Sequence, residues 1–167
     1  MFTRAADALP EKKRALRGRR LVLVDIENVA GGAVVTESIA SWARDMVVES
    51  LGVAESEQVV VGTSHVGAFN ARAVWPGVRL RVRSGENGAD LALLDVMRWE
   101  RIEQRFDEIV LVSGDGIFAD IVARLAAAGA QVTVASWAES LSTRLRLAAA
   151  RTIYLDGPVP TGTEGIA

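Results

Sequence analysis

Three aspartates stand where this sequence predicts strands to end or a helix to begin. Asp25 ends the aliphatic run "RLVLVD", Asp115 lies in the glycine-flanked turn "SGDG" after "EIVLV", and Asp90 opens a helical pattern. A carboxylate that is shielded from water must be hydrogen-bonded, paired with a cation or bound to a metal. If the three meet, their repulsion calls for a cation, and oxygen ligands favour Mg²⁺ or Mn²⁺. Such ions activate water for phosphodiester cleavage.

The same aspartates each have a purely structural explanation. Asp25 could accept hydrogen bonds from turn amides, Asp90 could be a helix N-cap, and Asp115 could be a turn residue. We predict a shared site because all three fall at the same edge of one predicted sheet.

The composition excludes several other kinds of chemistry. The 167 residues contain no cysteine, which rules out disulfides, zinc–thiolate sites and a thiol nucleophile. The only lysines are Lys12 and Lys13, so a phosphate-binding Walker loop, a haloacid-dehalogenase-type phosphatase and a response-regulator receiver all lack their lysine. Any Ser-His-Asp triad would need His65, the one histidine. Carboxylate and metal chemistry remains, or no chemistry.

The predicted elements place these aspartates at one edge. The predicted strands are 20–25, 57–62, 78–83, 108–116 with its final turn, 130–136 and 152–155. The predicted helices are 36–52, about 66–74, one from about 88, one from 117 to near 129, and one opened by a capping box at Ser136 and Glu139 and running to about 149.

This alternation predicts a three-layer α/β/α sandwich with a mainly parallel central sheet, because continuous apolar strands are covered on both faces. Ligands bind such sheets beyond the carboxyl ends of the strands, where the strand order reverses. If the chain reverses after the third strand, the first and fourth strands become neighbours. Asp25 and Asp115 would then face each other, with Asp90 pointing into the same crevice.

The motifs that carry these residues resemble those of the NYN domain, a PIN-like ribonuclease family. The resemblance covers roughly residues 19–155 and rests on "VDIEN", "GADLALLD" and "LVSGDGIFADIVARLAAAGAQVTV". It implies a PIN-like fold and metal-dependent cleavage of RNA, with single-stranded RNA as the expected substrate. It also makes a homodimer plausible. Asp25 and Asn28 match the first motif, Asp90 the middle one and Asp115 the third. All four are predicted catalytic residues, and the three aspartates are predicted ligands of Mg²⁺ or Mn²⁺.

The sequence departs from the family pattern in its acids. Many relatives have a second acid where this chain has Ile117, and Asp120 lies farther along the helix. Asp95, the candidate for a second middle acid, is turned about 140° from Asp90 on a helix. A basic residue usual before the middle motif is replaced by Glu86 or Asn87. These departures keep an alternative open: a PIN-like module with weak or no catalysis that binds RNA or a protein partner.

Four further residues are candidates for RNA contact. Arg79, Arg81 and Arg83 line one face of a predicted edge strand, where charged side chains contact phosphates or simply prevent unwanted strand pairing. His65 follows the second strand and could face the same edge as the aspartates, or be a structural or surface histidine.

The chain ends differ from the body in composition. Residues 1–20 carry seven basic and two acidic side chains, a net charge of +5, and the remaining 147 residues have a net charge of −7. We expect a basic and flexible arm at 1–18, one domain at 19–155 and a flexible tail at 156–167. No segment has the apolar core of a signal peptide or the length of a membrane span, which predicts a cytoplasmic protein.

Overall fold

A computed structural model describes residues 19–157, and these form a central sheet of six parallel strands with helices on both faces. The strands are β1 (Arg20–Asp25), β2 (Gln58–Thr63), β3 (Arg79–Val82), β4 (Glu108–Val112), β5 (Gln131–Ser136) and β6 (Arg151–Tyr154). The predicted three-layer sandwich is confirmed. The predicted basic arm, residues 1–18, lies outside the described residues, as does all of the predicted tail after Gly157.

Seven α-helices connect the strands in the part of the chain that the structure describes. They are α1 (Ile26–Ala30), α2 (Glu37–Leu51), α3 (His65–Val74), α4 (Gly88–Trp99), α5 (Ile102–Arg105), α6 (Ala119–Ala127) and α7 (Thr143–Ala148), with 3₁₀ turns at Gly116–Phe118 and Ala138–Ser140. Between residues 19 and 157, no helix is long and apolar enough to cross a membrane.

The strand order is β3-β2-β1-β4-β5-β6, so the chain reverses direction after β3 and returns beside β1. Val24 of β1 is in register with Val112 of β4, and Asp25 is in register with Gly62 of β2. The ends of β1 and β4 are therefore neighbours, as predicted, and the crevice where the order reverses opens between them.

Two apolar layers cover the sheet because alternate residues of each strand point to opposite faces. Leu21 and Leu23 of β1 pack with α4, α5, α6 and α7 on one face. Val22 and Val24 pack with α1, α2 and α3 on the other. This double coverage explains why β1 reads as an unbroken aliphatic run up to Asp25.

The helix predicted to open at Ser136 begins later, and the reason concerns the crevice. Ser136 is the last residue of β5, and its buried hydroxyl donates to the carbonyl oxygen of Trp137 at 3.0 Å instead of capping a helix. The chain then makes a 3₁₀ turn, and the Ser142 amide donates to the Gly114 carbonyl at 2.8 Å. This bond holds the segment against the turn that contains Asp115, and α7 starts only at Thr143.

Candidate active site at the carboxyl edge of the sheet

A pocket of about 160 Å³ opens beyond the carboxyl ends of β1 and β4. It is lined by Asp25, Glu27, Asn28, Asn87, Ala89, Asp90 and Asp115. The four residues predicted from the sequence motifs therefore meet in one place, together with a fourth acidic side chain.

Asp25 is held at the floor of the pocket by hydrogen bonds to both carboxylate oxygens. Asp25 is only 2% exposed. Its Oδ1 accepts from the Asn28 amide at 3.2 Å and so caps α1, while its Oδ2 accepts from the Ser113 hydroxyl at 3.0 Å. Burial raises the pKa of the Asp25 carboxyl. The structural explanation of Asp25 is thus true as well, since capping α1 aims the carboxylate into the pocket.

Asp115 is positioned by the turn after β4. Its amide donates to Ser113 Oγ at 3.3 Å, and its own Oδ1 accepts from the Ile117 amide at 2.9 Å. The preceding Gly114 donates its amide to Asn28 Oδ1 at 3.0 Å. A β-carbon at Gly114 would collide with the Ser140 carbonyl oxygen, so this close approach requires glycine.

Asp90 reaches the pocket from α4, whose first turn lies close to β2. A β-carbon at Gly62 would lie 2.8 Å from the Ala89 carbonyl oxygen, so glycine at this register position beside Asp25 admits the helix. Asp90 is only 7% exposed. Burial, the hydrogen bond to Asp25 and the charges of Asp25 and Asp115 together raise the pKa of Asp90 to about 9. The hydrogen-bonded pair of Asp25 and Asp90 therefore retains a proton at neutral pH.

The donor set of this pocket matches a hard divalent cation. Within residues 19–157, no group of three or more His, Asp or Glu side chains has the arrangement of a complete metal site. The charges of Asp25 and Asp115 favour the neutral, protonated form of Asp90, which adds no further negative charge to the pocket. A cation at this position would instead offset the charges of the carboxylates, with their oxygens as ligands, which is the chemistry that Mg²⁺ and Mn²⁺ prefer.

Glu27, to which the sequence analysis assigned no role, is the fourth acid of the pocket. Its Oε1 accepts from the Ser64 amide at 2.8 Å and from the Thr63 hydroxyl at 3.5 Å, at the end of β2.

Ser113 and Asn87 are also site residues that the motifs did not single out. Ser113 is a buried hydroxyl directly after an aliphatic strand, and Asn87 has the left-handed φ of 58° at the entry to α4. Polar residues at strand ends are the signal that could have identified Ser113.

The other acids of the motif regions lie outside the pocket. Asp95 pairs with Arg83 at 3.1 Å on the surface. The Asp120 side chain is 92% exposed and pairs with Arg144 at 2.9 Å. Ile117 is also not part of the pocket lining.

The predicted RNA contacts are spread over the molecule. Arg79 lies at the amino end of the edge strand β3 and is engaged in two hydrogen bonds by Glu100, on the far side from the pocket. Arg83 is held by Asp95, and Arg81 lies half-buried between them along β3. His65 is the nearest of the four to the pocket, because it begins α3 next to Ser64, and its Nδ1 contacts the Ser84 hydroxyl.

Comparisons with known proteins agree with this architecture. The family model of the NYN domain matches residues 19–156. A search of curated proteins finds no match. Among solved structures, the chain is similar to a protein of unknown function from Vibrio parahaemolyticus RIMD 2210633, with 20% sequence identity and a TM-score of 0.56 over 84% of this chain and 94% of that one. At this level of identity the likeness shows the fold alone.

Proposed function

This chain belongs to the NYN domain family, a family of PIN-like nucleases, and from that premise we propose that it is a metal-dependent ribonuclease. The observation that carries the proposal is the convergence of Asp25, Asp90 and Asp115, from three separate elements, on one pocket at the carboxyl edge. Burial, together with the neighbouring carboxylates of Asp25 and Asp115, raises the pKa of Asp90 to about 9, and strongly shifted carboxyls of this kind cluster at functional sites.

The three aspartates are the residues that would hold the cation. When bound, a divalent ion supplies an activated water and compensates the charge that develops on the scissile phosphate. The fold holds the carboxylate oxygens in place for such an ion. Both oxygens of Asp25 accept hydrogen bonds, and Asp115 accepts one from the Ile117 amide.

Asn28 is proposed to bind the substrate. The Gly114 amide needs an acceptor, so Asn28 must turn its Oδ1 toward it, and the side-chain NH₂ then faces the pocket that Asn28 lines. Within the described residues this NH₂ group has no hydrogen-bond partner. A neutral donor placed among carboxylates can bind a phosphate oxygen and orient it without adding negative charge.

The substrate in this proposal is single-stranded RNA. The pocket volume of about 160 Å³ has room for one backbone phosphate, and a single strand can bend its backbone toward such a pocket. Action in the cytoplasm and assembly as a homodimer remain predictions from the sequence.

Cleavage of single-stranded RNA in the presence of Mn²⁺, with and without EDTA, tests the proposal. We expect Asp25→Asn and Asp115→Asn to reduce the rate by at least about 100-fold, since even residues that only support metal ligands cost 10- to 100-fold. Asp95→Asn and Asp120→Asn are matched controls, because their carboxylates pair with arginines outside the pocket. If the pocket variants retain EDTA-sensitive cleavage, the site assignment is wrong.

A second candidate function is an RNA- or protein-binding module with little catalysis. Two observations favour it: Ile117 stands where relatives often have an acid, and the described residues do not form a complete metal site. A crystal soaked in Mn²⁺ separates the candidates. Density for an ion among Asp25, Asp90 and Asp115 supports the nuclease, and an empty pocket at millimolar Mn²⁺ supports the binding module.

A further inference from the structure

The helix that begins next to the pocket carries an exposed apolar and cationic surface. Its outward residues, which we call the α3 stripe, are His65, Val66, Phe69 and Arg72. Phe69 is 77% exposed and Val66 is 58% exposed, although large apolar side chains are normally buried. An exposed aromatic residue beside a pocket is a candidate for ligand contact.

The α3 stripe begins next to a residue that contacts the candidate active site. Ser64, the cap of α3, donates its amide to Glu27 of the pocket. His65 follows at once, and Phe69 lies four residues later, about 6 Å farther along the helix axis. A strand that leaves the pocket past Glu27 and Ser64 would reach Phe69 next.

The opposite face of α3 is fixed, so the exposure of the stripe is a property of the packed fold. Asn70 donates its side-chain amide to the Val34 carbonyl at 2.9 Å, and Ala71 is buried. Gly67 lies against Thr63 and Val34. The helix cannot turn Phe69 inward without breaking these contacts.

Arg72 adds an uncommitted positive charge to the stripe. In the part of the chain that the structure describes, Arg72 has no ion pair or hydrogen bond, as is also true of Arg81, Arg98, Arg101, Arg146 and Arg151, but Arg72 is the one of these on α3. Arg72 is exposed one turn beyond Phe69. An aromatic ring followed by a free guanidinium is the pairing that binds a base and its phosphate in single-stranded nucleic acids.

We propose that the α3 stripe binds the part of an RNA strand that flanks the scissile phosphate, with a nucleobase stacked on Phe69 and a backbone phosphate at Arg72. The inference rests on the proposed function, since it names where the substrate of the same pocket continues. A second copy of the chain is a poorer occupant. Stable interfaces bury about 800 Å² on each partner, more than the four side chains of this stripe supply.

Binding in EDTA tests the inference separately from cleavage. The probe is a single-stranded oligouridylate, whose bases stack little on one another, with one 2-aminopurine whose fluorescence is quenched on stacking; it is titrated with the full chain over a salt series. We expect Phe69→Ala to weaken affinity by about 5- to 150-fold and to abolish quenching, because base–aromatic stacking contributes about that much. Phe69→Trp should retain both, and Phe69→Leu, which keeps apolar area without a ring, should not.

The two parts of the stripe should differ in their dependence on salt. Phe69→Ala should leave the slope of log affinity against log salt unchanged, whereas Arg72→Ala should flatten it by about 0.7. Trp99→Ala is the matched control: Trp99 is 76% exposed but ends α4 at the opposite edge of the sheet, so its removal should change neither affinity nor quenching.

Unchanged RNA affinity in Phe69→Ala, with a native melting temperature, would overturn the inference. So would a Phe69→Ala chain that binds RNA normally but dissociates from dimer to monomer in light scattering, because the patch would then serve self-association. Loss of cleavage in the aspartate variants with normal RNA binding by Phe69→Ala would support the proposed function and refute the role of the α3 stripe. Quenching by a wild-type chain that never cleaves RNA would support the α3 stripe as a binding surface and refute the proposed nuclease activity.

Discussion

The amide of Gly114 donates a 3.0 Å hydrogen bond to Oδ1 of Asn28, a residue 86 positions earlier in the chain. This bond joins the residues that follow β1 to the turn after β4, directly across the crevice where the strand order reverses. Together with Ser113, whose hydroxyl donates to Asp25 and accepts from the Asp115 amide, this contact fixes how the residues after β1 lie against the turn that carries Asp115.

Replacement of Asn28 by alanine should therefore harm function more than stability. We expect Asn28→Ala to lower the free energy of unfolding by about 1–2 kcal/mol, since the Gly114 amide loses its partner in a partly buried place. RNA cleavage should fall by more than about 10-fold, because the substrate donor is lost as well. Urea unfolding and cleavage rates measure the two effects.

Thr36→Ala is the control for Asn28→Ala, because it also removes one side-chain acceptor of a backbone amide. Thr36 Oγ1 accepts from the Ile39 amide at 3.2 Å and caps α2 outside the pocket. A similar loss of about 1 kcal/mol with full activity is expected. If both variants lose activity equally, Asn28 acts only through stability.

The raised pKa of Asp90 gives the metal-free protein a defined dependence on pH. The unfolded carboxyl ionises near pH 3.9, while the folded one keeps its proton up to about pH 9. Between these values the folded state binds the extra proton, so the stability that this proton contributes is complete below pH 4 and is lost as the pH rises toward 9. Burial of Asp25 acts in the same direction.

Asp90→Asn should remove the largest part of that dependence. In EDTA at neutral and alkaline pH we expect the variant to melt higher than the wild type, by at least about 2–4 °C for a stabilisation of 1 kcal/mol in a domain of this size. Melting temperatures from pH 4 to 9 provide the measurement, and Asp95→Asn, which changes a surface ion pair, should follow the wild-type curve. Parallel curves for Asp90→Asn and wild type would contradict the assignment of the proton to Asp90.

Much of this site could be predicted from the sequence because its aspartates follow aliphatic strands. Asp25 and Asp115 end the two strands that the strand order makes neighbours, and a parallel sheet gathers such ends at one edge. The angle of about 140° between Asp90 and Asp95 on the helix also predicted that they face different directions. Asp95 indeed lies outside the pocket, where it pairs with Arg83.

The parts that could not be predicted depend on contacts between distant segments. Glu27 faces the pocket because the Ser64 amide, 37 residues later, holds its carboxylate. The delayed start of α7 depends on the bond between Ser142 and Gly114. A local capping pattern such as that of Ser136 cannot anticipate either contact, because tertiary packing overrides local preference.

Glu27 should matter to catalysis through its charge. Glu27→Gln keeps the carbonyl oxygen that accepts from the Ser64 amide, so the fold should be unaffected. We expect weaker Mn²⁺ binding and a cleavage rate reduced by about 10- to 100-fold, as for residues that support a metal site. Calorimetric titration with Mn²⁺ and cleavage assays test this.

Glu139→Gln, a change of one exposed acid outside the pocket lining, is the control for net charge. Equal Mn²⁺ affinity in wild type and Glu27→Gln would restrict Glu27 to holding β2 and α1 together.

The body of the chain is acidic, so the cations that attract RNA must be identified separately. Residues 21–167 have a net charge of −7, and two of the three arginines at and just after β3 are already paired: Arg79 with Glu100 and Arg83 with Asp95. Arg20 is likewise paired, with Glu57 at 2.6 Å. The cations of residues 12–19, which lie mostly outside the described part, are therefore the next cluster to consider.

Removal of residues 1–17 should reduce the electrostatic part of RNA binding. For single strands the slope of log affinity against log salt is about −0.7 per neutralised phosphate, so the loss of four contacts should flatten it by about 3 units. Binding of single-stranded RNA in EDTA across a salt series measures the slope for both chain lengths. Arg79→Gln in the full chain is the control, since Glu100 already occupies this guanidinium and the slope should stay the same. An unchanged slope in the shortened chain would show that the arm makes no phosphate contacts, and Arg72 and Arg81 would then be the cations to replace next.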